Sequence, residues 1–261
     1  MHDLVTNKSF DLEKTYETIL SIQVSLNGFS FSILSAQEDK ILAFKTTRLK
    51  ISNAALISRR FEEWIKSEEM LHKTFKKVRI IVFSKHFTLV PEKYFHNNLK
   101  HEIPPFLFEE NDNQEIAENV ISILKTRILF TLPSGLNKIV QEQIGECEII
   151  HPVKIMLNKL PQTKKENGLV LLFNTTDFYL ILYHQSKVLL CNNFKIANKN
   201  DALYYVLTTL KQVAVALSET ELFITETEND LSKYKTALQP YFKTIGDLKI
   251  TPLLSVKAPT E

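Results

Sequence analysis

The chain has 261 residues, 44% of them hydrophobic and 24% charged, and its 32 Lys and Arg against 30 Asp and Glu leave a formal charge of +2. That length suits two modest lobes, each with a core, and the near balance of charge excludes a strong electrostatic footprint for nucleic acid. Five glycines are few for this length and argue against the glycine-rich loops that let a backbone close on phosphate.

Residues 1–16 read as a loosely held N-terminal arm on which Phe10 and Leu12 can dock. The arm is polar and acidic, without the pattern of a signal peptide. Strand-like runs follow at Ile19 to Leu26, Phe29 to Leu34 and Ile41 to Leu49. The first two meet at Asn27-Gly28, a pair suited to a type I′ turn, in which both central residues take positive φ. A helix from about Asn53 to Leu71, capped by Ser52 or Asn53, sets Ile57, Phe61, Trp64 and Ile65 on one face. Val78 to Phe83 then returns as a parallel strand. The basic run Lys73, Lys76, Lys77 and Arg79 fits cations at the end of a helix.

Residues 84–125 read as an insertion with its own small core: a strand at Phe87 to Val90, a helix from Lys93 to Glu102 stopped by Ile103-Pro104-Pro105-Phe106, and a helix from Ile116 to Leu124. A strand at Arg127 to Leu132, a helix from Ser134 to Ile144 with Ser134 as its cap, a strand at Glu148 to Ile150 and a helix from Val153 to Leu160 complete a first lobe of residues 17–165. Residues 161–168 form the linker. The second lobe, 166–254, repeats the plan. It has strands at Leu169 to Phe173, Phe178 to Tyr183 and Val188 to Cys191, then a helix from about Asn200 to Ser218 capped by Asn198 or Asn200. A strand at Glu221 to Glu226, a helix from Leu231 to Tyr241 and a strand at Leu248 to Ile250 follow, and 255–261 is a tail. Tyr204 and Tyr205 read as sheet-packing residues. Equivalent elements begin about 143 to 150 residues apart, as in a duplication.

Three strands, a helix and a strand, twice over, resemble the actin, hexokinase and heat-shock chaperone superfamily. His86-Phe87-Thr88-Leu89-Val90-Pro91, Glu102-Ile103-Pro104-Pro105-Phe106 and the strand from Arg127 to Pro133 resemble segments of the actin-like pilus-assembly and cell-division proteins of bacteria. The chain is also similar to an uncharacterised bacterial family with the actin-like ATPase fold. The resemblance implies an α/β, two-lobed, duplicated ribonuclease-H-like fold, with mixed sheets flanked by helices and a small inserted subdomain.

In active members of that superfamily each lobe's first hairpin carries an Asp-x-Gly phosphate loop, and a Gly-Gly pair follows the second lobe's third strand. Here the first loop falls on Gln23-Val24-Ser25 or Asn27-Gly28, the second on Leu172-Phe173-Asn174, and the pair on Ala197-Asn198. Without the two carboxylates a Mg²⁺ ion loses its anchor. The resemblance therefore implies a vestigial cleft at Asn27, Gly28, Asn174, Asp177 and Asn198, with no ATP, Mg²⁺ or other metal as cofactor. Asp177 either replaces a missing carboxylate or caps its turn. The alternative is an ATP-binding protein, ATPase or phosphotransferase with a rearranged site at Asp177 or Asp201.

Other constellations are weak. His96 and His101 beside Glu102 are spaced for solvated side chains rather than a zinc helix, which sets ligands four apart. His86, His151 and His184 are dispersed, and their spacing leaves a folded cluster open. Glu109, Glu110 and Asp112 read as a solvated loop. Pro104, Pro105, Phe106 and Phe108 are either a partner-binding patch or the insertion's own core. Two isolated thiols, Cys147 and Cys191, fit a reducing compartment, and no apolar run nears the roughly 20 residues that span a bilayer. The expectation is a cytoplasmic, non-catalytic scaffold that binds an unknown protein partner or itself, and no nucleic acid.

Overall fold

The computed structural model describes residues 4–8, 10–37, 40–49, 51–102, 114–163, 165–226, 232–246 and 248. The chain divides into two units, the described residues of the first ending at Lys154 and those of the second beginning at Ile155.

In the first unit, β1 (Val5–Thr6) and a 3-10 turn at Leu12–Glu17 precede a meander of β2 (Thr18–Ser25), β3 (Gly28–Ser35) and β4 (Ile41–Arg48). The arm expected at 1–16 is held on the sheet: Val5 lies opposite Phe44 on β4, and the Asn7 N–H donates to the Leu42 carbonyl at 2.8 Å. An open strand edge offers unpaired amides that recruit such a segment. Next, α1 (Ile57–Ser67) carries the chain across to β5 (Lys77–Val82), which pairs in parallel with β2. Phe61 and Trp64 of α1 meet Phe29 of β3 with ring centroids 5.3 and 5.4 Å apart, and the indole N–H donates to Thr47 Oγ1 at 3.1 Å. The helix stops short of Leu71 because Glu68 takes an extended backbone and pairs with Lys45 Nζ at 2.7 Å.

The strands expected at Phe87 to Val90 and Arg127 to Leu132 are present, and a third strand joins them to make a three-stranded sheet where the sequence pattern predicts the helix from Ile116 to Leu124. β6 (Phe87–Pro91) leads through α2 (Leu99–Glu102) to β7 (Gln114–Ile121) and β8 (Thr126–Pro133), in the order β6-β8-β7. Ile116, Val120 and Leu124 have helical spacing, but β7 pairs with β8 from Gln114 opposite Pro133 to Ile121 opposite Thr126. Tertiary pairing overrides a local pattern of this kind. The helix expected over Lys93 to Glu102 is broken at Phe95, whose ring lies 4.2 Å from the guanidinium of Arg127. Arg127 in turn grips Glu92, with Nη2 2.7 Å from Oε1, and this bond holds the Glu92 carboxyl below the usual carboxylate range. Pro104, Pro105, Phe106 and Phe108, with Glu109, Glu110 and Asp112, lie outside the described residues.

The unit closes with α3 (Leu136–Gln143), β9 (Glu148–Ile150) parallel to β5, and the start of α4 (Pro152–Lys159). Gly135, at φ 77°, rather than Ser134 occupies the N-cap position of α3, and its N–H donates to Glu115 Oε1 at 2.7 Å. The main sheet runs β1-β4-β3-β2-β5-β9.

The second unit contains β10 (Gly168–Phe173), β11 (Asp177–His184), β12 (Lys187–Lys195), α5 (Lys199–Gln212), β13 (Glu221–Glu226), α6 (Ser232–Leu238) and β14 (Ile245–Gly246). Its sheet runs β12-β11-β10-β13-β14, antiparallel through the first three strands and parallel through the last three. The strands β4-β3-β2-β5-β9 have the same order and the same senses. Ala202, Val206 and Leu210 of α5 and Tyr234 and Leu238 of α6 bury one face of this sheet, where Phe173 and Tyr234 stack at 4.1 Å. α5 ends at Gln212, short of Ser218, as Ala214 turns left-handed at φ 56°. The last strand lies at Ile245–Gly246 rather than Leu248 to Ile250; residues 249 and 250 are outside the described range.

Candidate functional site

In the first unit, a cleft of about 70 Å³ opens at the carboxyl ends of the parallel strands β2 and β5. Ligands gather at such strand ends in open α/β sheets. Val24 and Leu26 from the first hairpin, Ile57 from α1, Val82 of β5 with Phe83 just after it, and Pro133 from β8 make most of its wall. Ser25, Ser84 and Thr131 supply hydroxyls, and Lys85 and His86 stand at the same lining. No carboxylate is among the described lining residues.

A buried polar knot fixes the floor beside it. The Ser84 hydroxyl lies 2.8 Å from that of Thr131, and the Thr131 N–H donates to the His86 carbonyl at 3.1 Å. The Ser84 carbonyl accepts from His151 Nε2 at 2.8 Å, while His151 Nδ1 accepts from the Val153 N–H at 3.3 Å. These bonds define the neutral Nε2–H tautomer. His151 is 0% exposed and packs against the rings of Phe87 at 4.6 Å and Phe130 at 5.2 Å. Burial lowers its pKa from 6.5 to about 3, against the smaller opposing effect of the Ser84 bond. Asn119 on β7 ties this knot to β9: its Nδ2 donates to the Ile149 carbonyl at 2.9 Å and its Oδ1 accepts the His151 N–H at 2.8 Å. His151 is thus a structural pin.

The residues singled out by the resemblance have local roles. The central residues of the first turn are Leu26 and Asn27, neither at positive φ, so it is not type I′; Gly28 opens β3 at φ 125°. A Cβ on Gly28 would stand 2.2 Å from the Thr47 carbonyl oxygen and 2.7 Å from the Leu49 nitrogen. The glycine therefore serves the close approach of β4. Gln23, at the position of the missing aspartate, is 5% exposed on the sheet face with Ser21, Ser30 and Ser32.

In the second unit, Asn174 Oδ1 accepts from the Thr175 N–H at 2.9 Å, and the Asn174 N–H donates to the Asp177 carbonyl at 2.9 Å, closing the β10–β11 turn. Asp177 begins β11 opposite Lys195. Asn198 caps α5: its Oδ1 accepts from Asn200 and Asp201, while Asp201 Oδ2 accepts from Ala197 and Asn198 at 2.7 and 3.1 Å. This reciprocal capping box occupies the Asp201 carboxylate. The Ile196 N–H donates to the Thr176 carbonyl at 2.9 Å, so the turn and the approach to α5 are neighbours. Asn27 and Gly28 belong to the first unit and the other three residues to the second.

His96 is paired with Glu102 at 3.7 Å, and no group of three His, Cys, Asp or Glu suited to a metal occurs among the described residues. Cys147 and Cys191 are free thiols; burial pushes Cys147 up to about 11 and Cys191 higher. Among the described residues no helix is long and apolar enough to cross a membrane.

Residues 7–245 match the model of the family described as protein of unknown function (DUF3822). The chain belongs to that family. No curated protein matches it. A Bacteroides thetaiotaomicron protein with an actin-like ATPase fold and unknown function is similar at 19% identity and TM-score 0.80, over 94% of this chain and 98% of that one. A chain of the PilM–PilN type IV pilus biogenesis complex is similar at 10% identity and TM-score 0.54, over 91% of this chain and 90% of that one. The fold of this DUF3822 member is the actin-like ATPase fold.

The apolar cleft was hidden in the sequence because its walls come from β2, α1, β5, the turn after β5 and β8. A usable signal was the rule that parallel strands end at ligand sites, applied to Val24 and Val82.

Proposed function

We propose that this DUF3822 member is a non-catalytic actin-like scaffold, built by duplication of one unit, and that the cleft beside β2 and β5 receives a branched aliphatic side chain of a protein partner. The carrying observation is the cleft's composition: an apolar wall with a lysine and a histidine and no carboxylate among its described lining. At about 70 Å³ it is well below the roughly 300–1,000 Å³ of small-molecule sites. It is about half the roughly 150 Å³ of an apolar cavity that takes benzene. An isopropyl or isobutyl group matches that size, and Lys85 favours an adjacent carboxylate. The PilM–PilN complex is one case of this fold in an assembly with another protein. Free Cys147 and Cys191 are consistent with work in the cytoplasm.

Isovalerate combines the branched group and the carboxylate. Titrated into the protein, it is expected to move the methyl resonances of Val24, Ile57 and Val82. Lys85→Glu is expected to weaken isovalerate about tenfold while leaving isobutanol unchanged, since only the acid uses the charge. Unmoved methyl signals up to the solubility of both probes would contradict the assignment.

A further inference from the structure

We propose that the outer edge of β12 is a second docking surface, separate from the cleft, and that it takes an extended acidic segment of another protein as an added strand. β12, at nine residues, is the longest strand among those described, and among the described strands it pairs with β11 alone, at the end of its sheet. Two bonds show which amides point outward. The Ile196 N–H reaches inward to the Thr176 carbonyl, whereas the Asn193 N–H is donated to the Asn192 side chain at 2.8 Å. In an antiparallel ladder successive residues alternate between the two directions, so Cys191, Asn193 and Lys195 turn their N–H groups to the open side.

Beside this edge, α5 supplies a contact rail. Phe194 of β12 stacks on Tyr205 at 4.6 Å, and Tyr205 meets Tyr204 edge-on at 5.4 Å. Tyr204, expected from the sequence to pack on the sheet, is instead 63% exposed, and Leu189 on β12 is 45% exposed. A strand added to a sheet edge gains affinity from backbone bonds and selectivity from alternate side chains on such flanking surface.

Charge decides the occupant. Lys187 and Lys195 at the two ends of β12, and Lys199 just beyond, are exposed and carry no ion pair among the described residues. Two copies of β12 paired antiparallel about Cys191 would set Lys187 opposite Lys195 at both ends. Like charges directly opposite destabilise a pair of strands, and edge lysines guard against self-pairing. The same lysines attract a strand that carries carboxylates at its ends.

The probe is the labelled peptide acetyl-Glu-Val-Glu-Val-Tyr-Val-Glu-Val-Glu-amide, with a counterpart in which Lys replaces each Glu. Fluorescence anisotropy on the full chain is expected to give at least about tenfold tighter binding of the acidic peptide, lost at high salt and in the K187E/K195E double variant. Both lysines are exposed, so an unchanged circular dichroism spectrum and unfolding midpoint will certify the variant's fold. Hydrogen exchange is expected to slow at the Cys191, Asn193 and Lys195 amides when the acidic peptide is bound. Equal affinity for the two peptides, or unslowed exchange at those amides, would overturn the proposal. So would a concentration-dependent dimer that protects them without peptide, because the occupant would then be a second copy.

Discussion

Lowering the pH from 7 to 4 is expected to destabilise the first unit by about 3 kcal/mol through His151 alone. The imidazole is neutral in the fold because Nδ1 accepts from Val153 and the ring is fully buried against Phe87 and Phe130. Protonation would set an N–H against the Val153 N–H in a fully buried site. Burial places its pKa at about 3 in the folded state, against 6.5 when free. The depressed value gives a contribution fully present above pH 6.5 and lost as the pH falls toward 3. Each pH unit in that window is worth about 1.4 kcal/mol, because the unfolded chain binds the proton and the folded chain does not. Denaturant midpoints taken from pH 7 to 4 should fall in the wild type and fall less steeply in His151→Gln. A His151 resonance titrating near its ordinary value, or equal slopes for both proteins, would contradict this account of the knot.

Asn119→Leu is expected to remove about 2–6 kcal/mol of stability. The substitution leaves the Ile149 carbonyl and the His151 N–H without the partners they have at 2.9 and 2.8 Å. Each buried backbone group left unsatisfied costs about 1–3 kcal/mol. Asn119 is 5% exposed, so water has little access to replace the amide. An exposed control on α3, Asn137→Leu, should change stability by less than about 0.5 kcal/mol. Urea unfolding of the three proteins makes the comparison, and a loss below about 1 kcal/mol for Asn119→Leu would show that the amide does not hold β7 to β9.

These two residues also mark the limit of what the sequence makes legible. The meanders and their crossover helices could be read because Phe29, Phe31 and Ile33 alternate on a strand while Ile57, Phe61, Trp64 and Ile65 recur at helical spacing. Both patterns are local. β7 is not legible because Ile116, Val120 and Leu124 satisfy a helix equally well, and only pairing with β8 decides between them. Asn119 and His151 lie 32 residues apart and meet through a side-chain bond between two separate sheets, which leaves no local signal. Asn198 reads as one of two cap candidates beside Asn200, but the part of Asp201 in the box does not, because the same carboxylate reads equally well as a site residue. The positive φ of Gly28 is legible from Asn27-Gly28, but the pair does not form the type I′ turn it suggests; the constraint on Gly28 is the distant backbone of Thr47 and Leu49. The exposure of Tyr204 is not legible, because a tyrosine beside Tyr205 reads as core until the helix's rotation is known.

The absence of a carboxylate from the described cleft lining and the use of Asp201 in a helix cap both bear on nucleotide chemistry. The most direct measurement is thermal unfolding of the purified protein with and without millimolar ATP and Mg²⁺. A ligand at about a hundred times its Kd stabilises by about 2.7 kcal/mol, or several degrees at roughly 2–4 °C per kcal/mol for a chain near this size. A non-catalytic scaffold should unfold at the same temperature in both conditions. A rise of several degrees that disappears in Asp177→Ala would contradict the scaffold and establish a rearranged nucleotide site.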